Sequence, residues 1–255
     1  KSSVVVNIAV QLRKLGKRVI IFDADLGLAN VEVMFGAIPK YNLSDLIYRG
    51  KSIEDIITTG PMDIGLISGG SGIMGMSNLS KDQLMYLVHS LSELDKLTDI
   101  ILIDTGAGIA DNVLEFVMAS PEILLVSTPE PSSLTDAYSL LKSLHRNPNF
   151  LHNVTRVNVI ANRVTSMEDG QAVFDKLSTV VSQFLQGEIS YLGMIPQDVM
   201  LERAIRQQRV VSLSMPTAKS AKAFSVLTAN LLNHEHEPYV MPKGIGQLLA
   251  NFIKK

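Results

Sequence analysis

A lysine–serine pair and two aspartates at strand ends are the residues of this sequence whose types and positions could perform chemistry. Lys1 and Ser2 open a helical pattern, Asp25 follows one short apolar run, and Asp104 ends another. A lysine can neutralise the β- and γ-phosphates of a nucleotide, and the next hydroxyl can bind Mg²⁺. One strand-end carboxylate can hold Mg²⁺ through water while another orients an attacking water. The set predicts Mg²⁺-dependent phosphoanhydride hydrolysis, although capping of a turn would explain either aspartate alone.

The elements around these residues predict a doubly wound α/β fold with a mostly parallel sheet, because short β-branched runs alternate with helical patterns. The predicted strands are Val19–Phe22, Ile64–Ser68, Ile100–Ile103, Ile123–Ser127, Val157–Ala161 and Tyr191–Ile195. The predicted helices are Val4–Leu15, Lys81–Leu97, Asp111–Met118, Ser132–Leu144, Glu168–Leu185 and Ala218–Leu232. The continuously apolar run Ile100–Ile103 is typical of a strand covered on both faces. Ligands of such sheets bind beyond the carboxyl ends of the strands, where Lys1, Asp25 and Asp104 can converge.

Two later strand ends could recognise a base. Asn162 follows Val157–Ala161 and precedes Arg163, and its carboxamide could offer a donor and an acceptor to an adenine edge. Pro196 and Asp198 lie in the turn after the last strand and could flank a purine ring. Ordinary turns would show the same residues, so both interpretations stay open.

A dinucleotide-binding motif is the main competitor. Gly70-Ser-Gly72-Ile-Met-Gly75 matches G-x-G-x-x-G after a predicted strand. That fingerprint requires the glycines to open a helix. Ser80 and Gln83 form a capping-box pattern that places the helix start five residues after Gly75. The glycines are therefore expected in a loop, which argues against an oxidoreductase.

Composition excludes several classes. The chain has 255 residues, is 46% hydrophobic, and carries a formal net charge of −2, so it has no general attraction to nucleic acid. It contains no cysteine, which rules out disulfides, Fe–S clusters and cysteine-ligated zinc and fits a cytoplasmic location. No apolar run approaches the roughly 20 residues that span a bilayer.

The end of the sequence predicts a separate amphipathic helix. We divide the chain into a main domain over 1–232, a tether over 233–242 and a terminal helix over 243–255. The apolar stripe of this helix falls at helical spacing: Ile245, Leu248, Leu249, Phe252 and Ile253. Flanking lysines favour an interfacial helix that lies on a membrane, whereas a helix docked on the core would show the same stripe.

Taken together, the motifs resemble those of the MinD/ParA ATPases, the deviant Walker type of P-loop NTPase. The motifs are Lys1-Ser2-Ser3, Asp23-Ala-Asp25-Leu-Gly27-Leu-Ala-Asn30, Asp104-Thr-Gly-Ala-Gly108 and Gly193-Met-Ile-Pro196. Within that group the flagellar-number regulators, FlhG (also called YlxH or FleN), are similar at three more segments. These are Pro129-Glu-Pro-Ser-Ser-Leu-Thr-Asp-Ala-Tyr138, Tyr41-Asn-Leu-Ser-Asp45 and Ser68-Gly-Gly-Ser-Gly72. Cell-division MinD and DNA-partitioning ParA proteins are the alternatives.

The resemblance implies ATP hydrolysis by a dimer that forms with ATP, and it implies a role for each site residue. Lys1, Ser2 and Ser3 would contact the phosphates, with Lys1 also catalytic and Ser2 on Mg²⁺. Asp25 would lie beside the attacking water and near the metal, and Asp104 on the metal side. Asn162 would lie at the adenine, and from their strand-end positions we expect Arg163, Pro196 and Asp198 to bind the nucleotide beside it.

The resemblance also implies segments before Lys1 and several partners. We expect the first strand and the phosphate-loop glycines to precede Lys1, with a segment that stimulates the flagellar GTPase FlhF further upstream. The implied partners are FlhF, basal-body and C-ring proteins, and the inner membrane surface, to which binding would be reversible and peripheral. No nucleic-acid partner is expected.

Overall fold

The computed structural model describes residues 1–25, 30–70, 79–148, 150, 155–185 and 187–233. The expected terminal helix with Ile245, Leu248, Leu249, Phe252 and Ile253 lies outside these residues, and so do positions 71–75 of the glycine motif. Among the described residues, none of the helices is long and apolar enough to cross a membrane.

The described strands form two sheets. They are β1 (Val19–Asp23), β2 (Ile57–Thr59), β3 (Gly65–Ser68), β4 (Ile100–Asp104), β5 (Glu122–Ser127), β6 (Arg156–Val164) and β7 (Ser190–Pro196). The first sheet has the order β2-β3-β1-β4 and the second the order β5-β6-β7. Only the short β2 pairs antiparallel, with β3, so the expectation of mostly parallel pairing is confirmed.

Helices precede or follow nearly every strand. They are α1 (Ser2–Lys14), α2 (Asn30–Phe35), α3 (Leu43–Arg49), α4 (Lys81–Leu97), α5 (Asp111–Ala119), α6 (Pro131–Arg146), α7 (Met167–Phe184), α8 (Val199–Arg206), α9 (Val211–Ser214) and α10 (Lys219–Asn233). The capping box at α4 is confirmed, because the Gln83 amide donates to Ser80 Oγ and the Ser80 amide donates to Gln83 Oε1. The glycine motif that begins at Gly70 therefore does not open this helix.

Three apolar clusters hold the layers together. The largest joins α1 and α10 to both sheets, through residues such as Ile8, Phe224, Ile21 and Ile160. A second lies under α3 and α4 on the opposite face of the first sheet. The third lies between the second sheet and α6 and α7. Helix α1 is thus packed in the centre, which fixes the position of its first turn relative to the strand ends.

The strand β4 differs from the expectation that helices cover it fully. All five residues of β1 are buried, whereas Ile100–Ile103 are only half-buried. The physical reason is position: β4 is the last strand of the first sheet, and β5 is the first strand of the second. Within the described residues, the outer edges of β4 and β5 are not paired with another strand.

Candidate functional site

The site begins at the first turn of α1. Lys1 is the N-cap residue, Ser2 and Ser3 start the helix, and the buried residues that follow anchor it in the core. The Lys1 ammonium donates a hydrogen bond to the carbonyl oxygen of Gly106, at 2.6 Å. This bond joins the start of α1 to the loop after β4, so the structure brings Lys1 and the Asp104 loop together.

Asp23 and Asp104 end the neighbouring strands β1 and β4 in the same register. Both carboxylates are buried. The backbone links the same two ends, because the Ala24 amide donates to the Asp104 carbonyl at 2.8 Å. Sequence reasoning identified Asp104 but did not assign a role to Asp23, although the Asp-x-Asp spacing with Asp25 was a signal.

Asp23 binds two backbone amides beyond the end of β1. Its carboxylate accepts the amide of Asp25 at 3.1 Å and the amide of Val31 at 3.3 Å. Burial raises the pKa of Asp23 to about 7, against the lowering effect of these two hydrogen bonds, and the charges of Asp104 and Asp25 raise it further. The buried carboxylates at this edge of the sheet therefore favour a proton or a compensating cation beside them.

Asp104 has the features of a metal-facing carboxylate. Its Oδ2 is buried and has no hydrogen-bond partner among the described residues. Burial raises the pKa of Asp104, and the Ser2 hydroxyl and the Lys1 ammonium oppose that shift. A buried acceptor without a partner is costly, so Asp104 and Ser2 fit a Mg²⁺ ion. No group of three metal-ligating side chains occurs in the described part of the chain, which is compatible with Mg²⁺ that keeps waters and substrate phosphates as ligands.

Asp25 lies against the same loop as Lys1. A methyl group added to Gly106 would lie 3.4 Å from Asp25 Oδ1. Partial burial lowers the pKa of the Lys1 ammonium, and the carboxylates of Asp104, Asp25 and Asp136 oppose that shift. Asp136, on α6, is a second residue that sequence reasoning missed. Lys1 therefore lies in the field of three carboxylates from different elements.

The expected base-recognition residues also lie together. Asn162 on β6 is the register partner of Ile195 on β7, next to Pro196. A register shift between Asn162 and Val164 makes Arg163 a bulge, and its φ of 59° lies in the left-handed region. Such bulges redirect a side chain and recur beside ligand sites.

Asp198 has structural contacts in the described residues. Its Oδ1 accepts the Met200 amide at 2.9 Å and caps α8, and its Oδ2 accepts the amide and hydroxyl of Ser220, at 2.9 and 2.7 Å. Both oxygens are therefore engaged in joining α8 to α10. Contact of Asp198 with a base stays a prediction.

Comparison with known proteins gives one consistent answer. The family model described as "CobQ/CobB/MinD/ParA nucleotide binding domain" matches residues 1–211. The antiactivator FleN of Pseudomonas aeruginosa is 40% identical over 89% of this chain and 80% of its own length. The flagellum site-determining protein YlxH of Helicobacter pylori is 33% identical over 85% and 72%. The crystal structure of the Pyrococcus furiosus cell-division ATPase MinD superposes with a TM-score of 0.72 at 24% identity, covering 91% of this chain and 93% of that one.

Proposed function

The chain is an ATPase of the CobQ/CobB/MinD/ParA nucleotide-binding family, and on that premise we propose that it is a dimerising, membrane-associated switch that regulates the number and placement of flagella. The flagellar role is supported by the similarity to FleN and YlxH over most of the chain. A cell-division role is the alternative, since MinD shares the fold.

The observation that carries the catalytic part of the proposal is the buried pair Asp23 and Asp104 beside Ser2 and Lys1. Ser2 and Asp104 would hold Mg²⁺, which supplies charge neutralisation at the phosphates when it is bound. Lys1 and Ser3 would contact phosphate oxygens, and Lys1 would have to leave the Gly106 carbonyl to do so. Asp25 would orient the attacking water, because its position beside Gly106 places it next to the Lys1 contact.

The proposal includes a further β-strand before Lys1 in the sequence. It would pair with β4 on one side and β5 on the other, and it would lead a glycine-rich phosphate loop to the start of α1. The half-buried residues of β4, at an edge unpaired within the described part, support this arrangement.

Base recognition would involve the ends of β6 and β7. Asn162 would pair with adenine, while Arg163 and Pro196 would flank it, because the structure places these residues at adjoining strand ends. Asp198 would lie at the base end of the loop after β7, which it also holds to α10 through Ser220.

The apolar stripe of the sequence supports the membrane assignment, and the family resemblance supports the partners. The helix expected at 243–255 would bind weakly as one copy, and an ATP-dependent homodimer would carry two copies, which strengthens attachment without any new contact. FlhF and basal-body or C-ring proteins remain the proposed partners, and the inner membrane the proposed surface.

Counting flagella in the organism that carries the protein tests the proposed role. Cells with Asp25→Ala should show an altered flagellar number or position. Cells with Glu54→Ala, which removes an exposed carboxylate with no role in the proposal, should match the parent. Normal flagellation combined with misplaced division septa in the Asp25→Ala strain would replace the flagellar role by the cell-division role.

A further inference from the structure

One residue of the short helix α9 is held by a polar stripe along α1. The Ser212 amide donates to Asn7 Oδ1 at 2.9 Å, and the Ser212 hydroxyl accepts from Gln11 Nε2 at 3.2 Å. The Ser212 carbonyl accepts from the Lys14 ammonium at 2.8 Å. The amide, hydroxyl and carbonyl of Ser212 are therefore each bound by a different residue of α1, which lies about 200 positions away in the sequence.

Asn7 carries this contact to the first turn of α1. Its Nδ2 donates to the Ser3 carbonyl at 2.7 Å, while its Oδ1 accepts from Ser212. Asn7 and Ser212 are both fully buried. The side chain thus spans from α9 to the turn that presents Lys1 and Ser2.

The other end of this connection reaches the β7–α8 loop. Gln11 Nε2 also lies 3.4 Å from the Ala221 carbonyl on α10. The neighbouring Ser220 is held by Asp198, which caps α8. Hydrogen bonds therefore connect the first turn of α1, through α9 and α10, to the loop expected beside the base.

A buried asparagine in a helix costs more free energy than a purely structural contact would require. Asparagine has a low helix propensity, and burying its amide costs free energy unless every group is paired. An apolar residue at this position could pack α1 on α9 through the same core. What the amide adds is a fixed geometry, because its two hydrogen bonds hold the first turn at one height relative to α9.

We propose that Asn7 is a positioning residue for ATP hydrolysis, which acts through Ser3 and Ser212 to hold the first turn of α1 where Lys1 and Ser2 meet the phosphates and Mg²⁺. This inference rests on the ATPase activity of the proposed function and is independent of the flagellar role.

Amide hydrogen exchange in the full-length, nucleotide-free protein tests the position directly. Asn7→Ala should accelerate exchange of the amides of residues 4–8 by about tenfold or more relative to the rest of α1. Asn158→Ala is the matched control, since Asn158 is a buried asparagine on β6 whose amide donates to Glu122 at 2.6 Å. Equal exchange at residues 4–8 in the parent and Asn7→Ala would overturn the proposal, as would equal acceleration in the control.

The second measurement is the steady-state rate of ATP hydrolysis. Asn7→Ala should lower kcat/KM for ATP by at least about tenfold, since small misplacements of catalytic groups have large kinetic effects, and Asn158→Ala should change it by less than about twofold. Ser212→Ala, which keeps the amide bound by Asn7, should resemble the control. If Asn7→Ala does not fold, Asn7→Ser replaces it, because its shorter side chain cannot span both partners. A parent protein that hydrolyses no ATP would refute the ATPase assignment. The hydrogen-exchange result does not depend on ATP hydrolysis and tests only the role of Asn7.

Discussion

Asp23 on β1 and Asp104 on β4 are register partners on adjacent parallel strands, so two buried carboxylates end side by side at the edge of the sheet where α1 begins. Neither has a cationic side chain as a direct hydrogen-bond partner in the described contacts. The pair therefore favours a ligand that brings positive charge. In the protein without nucleotide, the cost of burying two negative charges should appear in the pH dependence of stability.

The pH dependence of stability should report Asp23. Burial raises its folded-state pKa to about 7, well above the ordinary value of 3.8 for an aspartate. The folded state thus binds this proton more tightly than the unfolded state, so the contribution to stability is complete below about pH 4 and is lost as pH rises towards 7. Asp23→Asn should remove this loss and stabilise the nucleotide-free protein by about 1–2 kcal/mol at pH 8, discounted for partial solvent screening. Urea denaturation at pH 5 and pH 8 measures the difference. A variant with the same pH slope as the parent would contradict the assignment.

Gly70 should be less replaceable than Gly50. Both have positive φ, of 71° and 65°. A methyl group on Gly70 would lie 2.6 Å from Asn42 Cγ, whereas nothing lies within 4 Å at Gly50. Gly50→Ala should cost about 1–2 kcal/mol from the backbone alone, and Gly70→Ala about 1 kcal/mol more, because Asn42 would also lose its cap on α3. Denaturation of both variants checks the order. Equal costs would show that Asn42 can move freely.

Much of this fold could be predicted from sequence because its signals are local. The six predicted strands and the six helices predicted before residue 233 are all present within a few residues, while the helix predicted at 243–255 lies outside the described residues. The missed helices α2, α3, α8 and α9 have eight residues or fewer, too short for a clear apolar period. The α3 helix did have a readable signal, since Asn42 and Asp45 form a capping box.

The site is harder to predict from sequence, because its contacts join residues that are far apart in the chain. Lys1 and Asp104 were identified from residue type, but the Lys1 contact with Gly106 spans 105 positions, and Asn7 lies 205 positions from Ser212. Asp23 has no role that sequence alone indicates, because an aspartate at the end of a strand suggests only a turn. Pairing register, which sequence does not state, makes it a partner of Asp104.

Asp198 should affect stability more than nucleotide affinity. Although burial raises its pKa, the hydrogen bonds from Ser220 and Met200 outweigh this effect and lower it. Its stabilising contribution is present above the unfolded-state pKa and is lost as pH falls through the lower folded-state value. Asp198→Ala should cost about 1–2 kcal/mol at pH 7, as for other helix caps, with a smaller cost at pH 3. Thermal melts and ATP titration separate the roles. Weaker ATP binding at unchanged stability would assign Asp198 to the base.

The terminal stripe should bind membranes and leave catalysis unaffected. Leu249→Glu with Phe252→Glu should release the full-length protein from anionic liposomes. Insertion of each large apolar side chain contributes at most about 1.5–3 kcal/mol to binding, and the two glutamates remove that contribution. The ATPase rate in solution should stay at the parent level, and parent binding should need ATP. Co-sedimentation with and without nucleotide, alongside a thermal melt, is the measurement. A melt lowered by many degrees would place the stripe in the core.

Hydrolysis and binding of ATP by Asp25→Ala in the full-length protein test the catalytic account most directly. Asp25 lies beside Gly106, whose carbonyl accepts a hydrogen bond from Lys1, and we expect its side chain to orient water rather than to hold nucleotide. The variant should bind ATP with Mg²⁺ within about threefold of the parent affinity and hydrolyse it at least about a hundredfold more slowly. Hydrolysis at the parent rate would contradict the role of Asp25 and, with it, the account of this site.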